Sequence, residues 1–127
     1  MSDPTFTPAA KLAALYRARK VSPLEVIRAV LDRIDRVNPR INAIVTLARE
    51  SALSEARRAT KALRRGAKLP PLFGIPVGIK DVTPTRGLRT TYGSKLFADH
   101  VPDADALVVE RLRAAGVNVR SLMRAWA

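Results

Sequence analysis

The residues best placed to do chemistry lie in one apolar run that ends on a lysine, Phe73-Gly74-Ile75-Pro76-Val77-Gly78-Ile79-Lys80-Asp81. Val77 to Ile79 predicts a short buried strand, bounded by Pro76 upstream and Thr83-Pro84 downstream. Lys80 would then stand at the C-terminal tip of that strand, the edge where open α/β sheets bind ligands. Burial there disfavours an ammonium, lowers its pKa and leaves an amine that accepts a proton near neutral pH. The plainer reading is a lysine that snorkels from the strand end into water. Spacing alone favours that plainer reading, because lysine is rarely fully buried.

The remaining inventory narrows the chemistry. There is no cysteine, which excludes disulfides, zinc–thiolate sites and thiol catalysis. His100 is the only histidine; no Gly-x-Ser-x-Gly turn accompanies it, and it reads as a surface residue. Neither metal-ligand spacing nor a phosphate-cradling glycine motif is present, so no metal or cofactor is expected. Asp81 either organises the surroundings of Lys80 and nearby loop amides or is simply a polar strand-end residue. The loop from Thr83 to Ser94 is rich in glycine, proline and hydroxyl residues, and long loops of this kind are often functional. Within it Thr90, Thr91, Gly93 and Ser94 read as shaping the loop beside Lys80 rather than touching substrate, with Gly93 supplying a positive φ.

Elements that could position this edge come from both sides. Residues 1–7 are expected to be loose, and Thr7-Pro8 opens a helix to about Lys20. Ser22-Pro23-Leu24-Glu25 spells a capping box before a helix carrying Ile27, Val30, Leu31, Ile34 and Val37. That helix is expected to stop at Asn38-Pro39. A brief extended segment follows at Ile41–Thr46, then a helix from Ala48 to Arg65 with an apolar stripe of Leu53, Ala56, Ala59 or Thr60, and Leu63; Gly66 stops it. Lys68–Leu72 reads as a stiff linker. Asp103 is expected to cap a helix over 104–115, packed through Leu107, Val108 and Leu112. Strand 77–79, this helix and strand 117–119 would make one right-handed βαβ unit.

With 127 residues the chain has the size of one ordinary domain, and 47% apolar content argues against disorder throughout. No stretch reaches the roughly 20 apolar residues of a membrane span. The N-terminus lacks a signal-peptide pattern, so a cytoplasmic setting is the default. The net charge of +12 would attract nucleic acid or anionic surfaces. Its residues are spread over several helices and aromatics are scarce, so the charge reads mainly as solvated helix faces rather than a dedicated nucleic-acid site. An acidic remainder outside this sequence would also explain it.

Gly74-Ile75-Pro76-Val77-Gly78-Ile79-Lys80-Asp81, then Thr90-Thr91-x-Gly93-Ser94, then the run from Val101-Pro102-Asp103 to Ala115-Gly116, resemble the amidase signature family. The Ser22-Pro23-Leu24-Glu25 helix start, Asn38-Pro39-x-Ile41-Asn42-Ala43 and Pro71-Leu72-x-Gly74 fit the same pattern. The resemblance covers about residues 8 to 119 and implies an α/β fold: N-terminal helices plus the first βαβ part of a mixed sheet. It implies a serine hydrolase that cleaves carboxamides, or transfers the ammonia released, through a Ser–cis-Ser–Lys triad. By resemblance Lys80 is the triad lysine, a base that acts through the bridging serine. This resemblance tips the reading of Lys80 towards function.

No serine here matches either of the family's two catalytic serines, and residues 120–127 match nothing in its pattern. The chain is therefore expected to be an N-terminal portion, catalytically incomplete by itself because triad members act as a unit. Its expected partners are a small-molecule amide in the complete enzyme and either a C-terminal half or a second copy. Membrane and nucleic acid are not expected. The amidotransferase component that amidates misacylated tRNA is an alternative within the family; a basic nucleic-acid-binding module, supported only by the charge of +12, is an alternative outside it.

Overall fold

The computed structural model describes residues 3–125. Residues 4–6, expected as part of a loose end, form a 3-10 turn capped by Asp3, whose carboxylate accepts from the Thr5 amide at 2.9 Å. The Arg33 guanidinium lies 4.2 Å from the Phe6 ring centre, holding this turn on the helix that carries Arg33. Helix α1 spans Ala9–Arg17 and buries Leu12 and Tyr16.

Helix α2 spans Pro23–Ile41. Its predicted capping box is formed: the Glu25 amide donates to Ser22 Oγ at 3.3 Å, and the Ser22 amide donates back to the Glu25 carboxylate at 2.7 Å. The helix does not stop at Asn38-Pro39. Pro39 sits inside the last turn and forfeits one hydrogen bond there. Asn38 compensates beyond it, since its side chain exchanges two bonds with the backbone of Ile44, at 3.0 and 2.8 Å. Asn42, at φ 48, supplies the left-handed cap.

Strand β1 is Ile44–Leu47, and helix α3 follows at Arg49–Arg64. The buried stripe of α3 is Ala52, Ala56, Thr60 and Leu63, so Thr60 rather than Ala59 faces inward. The Thr60 hydroxyl is satisfied by the Ala56 carbonyl at 2.8 Å and the Leu24 amide at 3.2 Å. The presumed linker is not a spacer: Leu69, Leu72 and Phe73 pack on the cluster of Leu12, Tyr16, Val21, Val26, Leu63 and Ile75.

Strand β2 spans Pro76–Lys80, helix α4 Leu107–Ala114 and strand β3 Asn118–Ala125. The sheet order is β1-β3-β2, with β3 antiparallel to β1 and parallel to β2. The mixed sheet and its βαβ unit agree with the expected α/β class. Helix α4 starts later than predicted, with no side-chain cap from Asp103. It packs through Val109, fully buried, and through Leu112 as expected, while Leu107 and Val108 are 64% and 54% exposed. Val117 packs with Val109 and Ile79, whereas the next residue, Asn118, donates to the Ala52 carbonyl of α3 at 3.2 Å. Alternation along a strand thus sends one residue to α4 and the next to α3, which places these helices on opposite faces. Strand β3 continues past the expected 117–119 into the unmatched tail; residues 126 and 127 of that tail lie outside the described residues.

Candidate active site

Lys80 closes β2 at its C-terminal end, opposite Ala125 of the parallel neighbour β3. Lys80 is exposed, as the plainer reading from spacing had it, and the burial that the resemblance favoured is not found. The cause lies in the strand period. Val77 and Ile79 pack towards α4 with Val109 and Val117. Lys80, one step beyond Ile79, emerges on the other side.

Asp81 is the buried member of the pair, at 4% exposure. Its carboxylate accepts from the Thr91 amide at 2.9 Å and from the Thr91 hydroxyl. Its carbonyl accepts from the Tyr92 amide at 2.9 Å. The side chain therefore binds loop amides, one of the two roles considered for it. Thr91 then passes the order along: its hydroxyl accepts from the Gly93 amide at 3.2 Å and its carbonyl from the Ser94 amide at 2.9 Å. Ser94 Oγ caps the short 3-10 turn Lys95–Phe97 by accepting from Leu96 at 3.2 Å. Gly93 has φ 70, and Tyr92 shares the left-handed region at φ 52. Asp81, Thr91, Gly93 and Ser94 thus form one bonded unit next to Lys80.

Thr90 stands apart from that unit. It is fully buried, donating its amide to the His100 carbonyl at 2.9 Å and its hydroxyl to Leu88 at 3.1 Å. Its work is to close the base of the loop. His100 is exposed as expected, but its ring also meets Phe97 and Tyr92, at 5.6 and 6.0 Å between centres.

Two supports were not foreseen. Arg89 donates to the Ala98 carbonyl at 2.9 Å and to the Val45 carbonyl at 3.1 Å, tying the loop to β1. Asp105 accepts from the Arg86 amide at 2.7 Å and from Arg113 at 2.8 Å, fastening the start of the loop to α4. Burial pushes the Asp105 carboxyl up, but the Arg113 side chain, the Arg86 amide and both guanidinium charges outweigh it and hold it below the usual range. Arginines dispersed in a loop give no periodic signal, which is why Arg89 escapes a pattern reading. Asp105 carries a signal that could be read, but a helix start explains it equally well.

The arrangement offers one exposed amine at a sheet edge, with a hydrogen-bonded, hydroxyl-rich loop fastened beside it. Among the described residues no cluster of histidine, cysteine, aspartate or glutamate could hold a metal ion. No helix among the described residues is long and apolar enough to cross a membrane.

The family model described as Amidase matches residues 25–120. The chain is 44% identical over 117 residues to a glutamyl-tRNA(Gln) amidotransferase subunit from Acidothermus cellulolyticus, covering 92% of this chain and 23% of that protein. It is likewise 44% identical over 108 residues to an acylamidase of Rhodococcus erythropolis, covering 85% of this chain and 23% of that protein. Among solved structures, the native peptide amidase of Stenotrophomonas maltophilia superposes with a TM-score of 0.80 at 32% identity, over 94% of this chain and 24% of that one. The chain spans about a quarter of the length of the proteins it matches.

Proposed function

This chain belongs to the amidase family, and we propose that it supplies the lysine-bearing part of an enzyme that hydrolyses a carboxamide to a carboxylate and ammonia. The observation that carries this reading is the position of Lys80 at the C-terminal end of β2, directly before the Asp81–Thr91 lock. In this reading Lys80 takes the proton of a bridging serine, which in turn deprotonates the serine that attacks the amide carbon. The ammonium then returns a proton to the leaving amine. Asp81 and Thr91 act as positioning residues that fix the loop beside the amine. Thr90, Gly93 and Ser94 shape that loop.

The two serines this mechanism requires are matched by no serine in the 127 residues. We therefore infer that the chain alone does not turn over amides, and that its exposed lysine becomes enclosed only with further polypeptide, either a C-terminal half or a second copy. A cytoplasmic setting and a small-molecule amide substrate belong to the same proposal. The equal identity to an amidotransferase component supports a second reading, in which the ammonia released passes to a misacylated tRNA.

Replacing the matching segment of the Rhodococcus erythropolis acylamidase by residues 8–119 tests the role of Lys80. The chimera is expected to release ammonia from simple aryl and alkyl amides, and Lys80→Ala to abolish that release. Undiminished turnover by the Lys80→Ala chimera would overturn the assignment. The isolated chain is expected to release no more ammonia than its own Lys80→Ala variant.

A further inference from the structure

The basic residues are scattered along the sequence, yet several converge in space. The C-terminal ends of α1 and α3 meet the start of α2 around a cleft of about 490 Å³. Arg19, Lys20, Arg28 and Arg64 line it, together with Ser22 and Thr60. An adjoining cleft shares Arg19 and Leu63 and adds Arg17. All five cations are exposed. Among the described residues the one acid on the lining is Glu25, whose carboxylate accepts from the Ser22 amide at 2.7 Å and hydroxyl at 2.6 Å and whose single charge, also felt by Arg64, leaves the cleft strongly positive.

Helix capping accounts for part of this cluster. Arg17 and Arg64 lie in the last turns of α1 and α3, where a cation complements the macrodipole. The Arg19 guanidinium likewise lies beside Gly66, just past the C-terminal end of α3. Helix ends do not account for Arg28 in the second turn of α2, nearer that helix's positive end. Cations gathered this closely repel one another. A polyanion removes that cost.

We propose that this cleft docks the phosphate backbone of a nucleic-acid duplex. Guanidinium groups meet phosphate oxygens with paired N–H donors. Among the described residues no aromatic side chain lines the cleft, so the unstacked bases of a single strand find no platform there. None of the large exposed apolar side chains described borders it either, so an anionic membrane would find charge without an anchor. The inference stands apart from the amide chemistry, since it uses neither Lys80 nor its loop.

The test is fluorescence anisotropy of the full 127-residue chain with a labelled duplex DNA of about 20 base pairs, over a salt series. Binding is expected in the micromolar to hundred-micromolar range, steeply weakened by salt. Changing Arg19, Arg28 and Arg64 to Gln together should weaken it about tenfold or more and reduce the salt slope by about 2 to 3, at about 0.9 per phosphate contact. The same charge loss outside the cleft, with Arg40, Lys95 and Arg111 changed to Gln, should weaken it less than about threefold. Equal losses for the two triple variants would overturn the proposal, as would no duplex binding, equal binding of a single strand, or binding to phosphatidylserine vesicles in place of duplex. If thermal melts show that the first triple variant is unfolded, Arg28→Gln against Arg40→Gln makes the same comparison. About a threefold loss for the former and none for the latter is expected, and no difference would overturn the proposal.

Discussion

The carboxylate of Asp81 receives both the backbone amide and the hydroxyl of Thr91. One buried side chain thereby closes the loop that leaves β2 back onto the strand end. The neighbouring Lys80 side chain stays exposed. Order and accessibility are divided between two adjacent residues.

Asp81→Asn keeps the shape and one acceptor for the Thr91 amide, but it removes the charge and forces the Thr91 hydroxyl to accept from an NH2 where it now donates to a carboxylate. It should cost about 1–3 kcal/mol in urea unfolding. Thr91→Val should cost a similar amount, and the double variant less than the sum, because both remove the same interaction. Strictly additive losses would show that the lock does not couple the two residues.

Lys80→Ala should leave stability within about 0.5 kcal/mol of the parent, since the side chain is exposed. A thermal melt checks this. A large destabilisation would mean the lysine has a structural role and would confuse any activity comparison.

Gly74 and Gly116 are joined by a backbone hydrogen bond of 2.9 Å from the Gly74 amide to the Gly116 carbonyl. Both have positive φ, at 70 and 91. A Cβ on Gly116 would lie 2.9 Å from the Pro70 side chain and 3.1 Å from the Phe73 backbone. At Gly87, also at positive φ, a Cβ would meet nothing within 4 Å. Gly87→Ala should therefore cost only the conformational penalty, about 1 kcal/mol, and Gly116→Ala at least about 1 kcal/mol more. Equal losses in denaturant melts would refute this account of the close approach.

Asp105 is almost enclosed beside Arg113, with 7% of its side chain exposed. Its folded-state pKa lies below the ordinary value of 3.8. It therefore contributes stability that is complete above that value and is lost as pH falls through the lower folded-state value. Asp105→Asn should destabilise the protein by about 1–3 kcal/mol at neutral pH. The variant should also show a flatter decline in melting temperature below about pH 4 than the parent. Parallel acid limbs for the two proteins would contradict this.

The helices were legible where signals agree: Ser22 and Glu25 close the predicted box, and Gly66 follows α3 at φ 73. Asn38-Pro39 misled because a partner just beyond the helix, the Ile44 backbone, rescues the helix end. The face of α4 was misjudged because Leu107 and Val108 are apolar yet exposed, while Val109 carries the packing. At the candidate site, strand position and loop membership were readable. The exposure of Lys80 was readable from spacing alone, and it was the resemblance that pointed to burial; along β2 the faces alternate, with Ile79 inside and Lys80 outside. Arg89 was invisible because its partners, Val45 and Ala98, belong to segments far apart in sequence.

The middle position of β3 also sets a timetable. It is the last of the three strands to leave a ribosome, and both outer strands hydrogen-bond to it rather than to each other. Until residues 118–125 emerge, β1 and β2 wait without a shared ladder, while the α2–α3 hairpin can already bury Ile27, Leu31, Ala52 and Ala56. Ribosome-stalled chains ending before residue 118 should accordingly protect helical amides from exchange and leave those of Val77 to Lys80 open; early protection there would mean the outer strand finds another partner during synthesis.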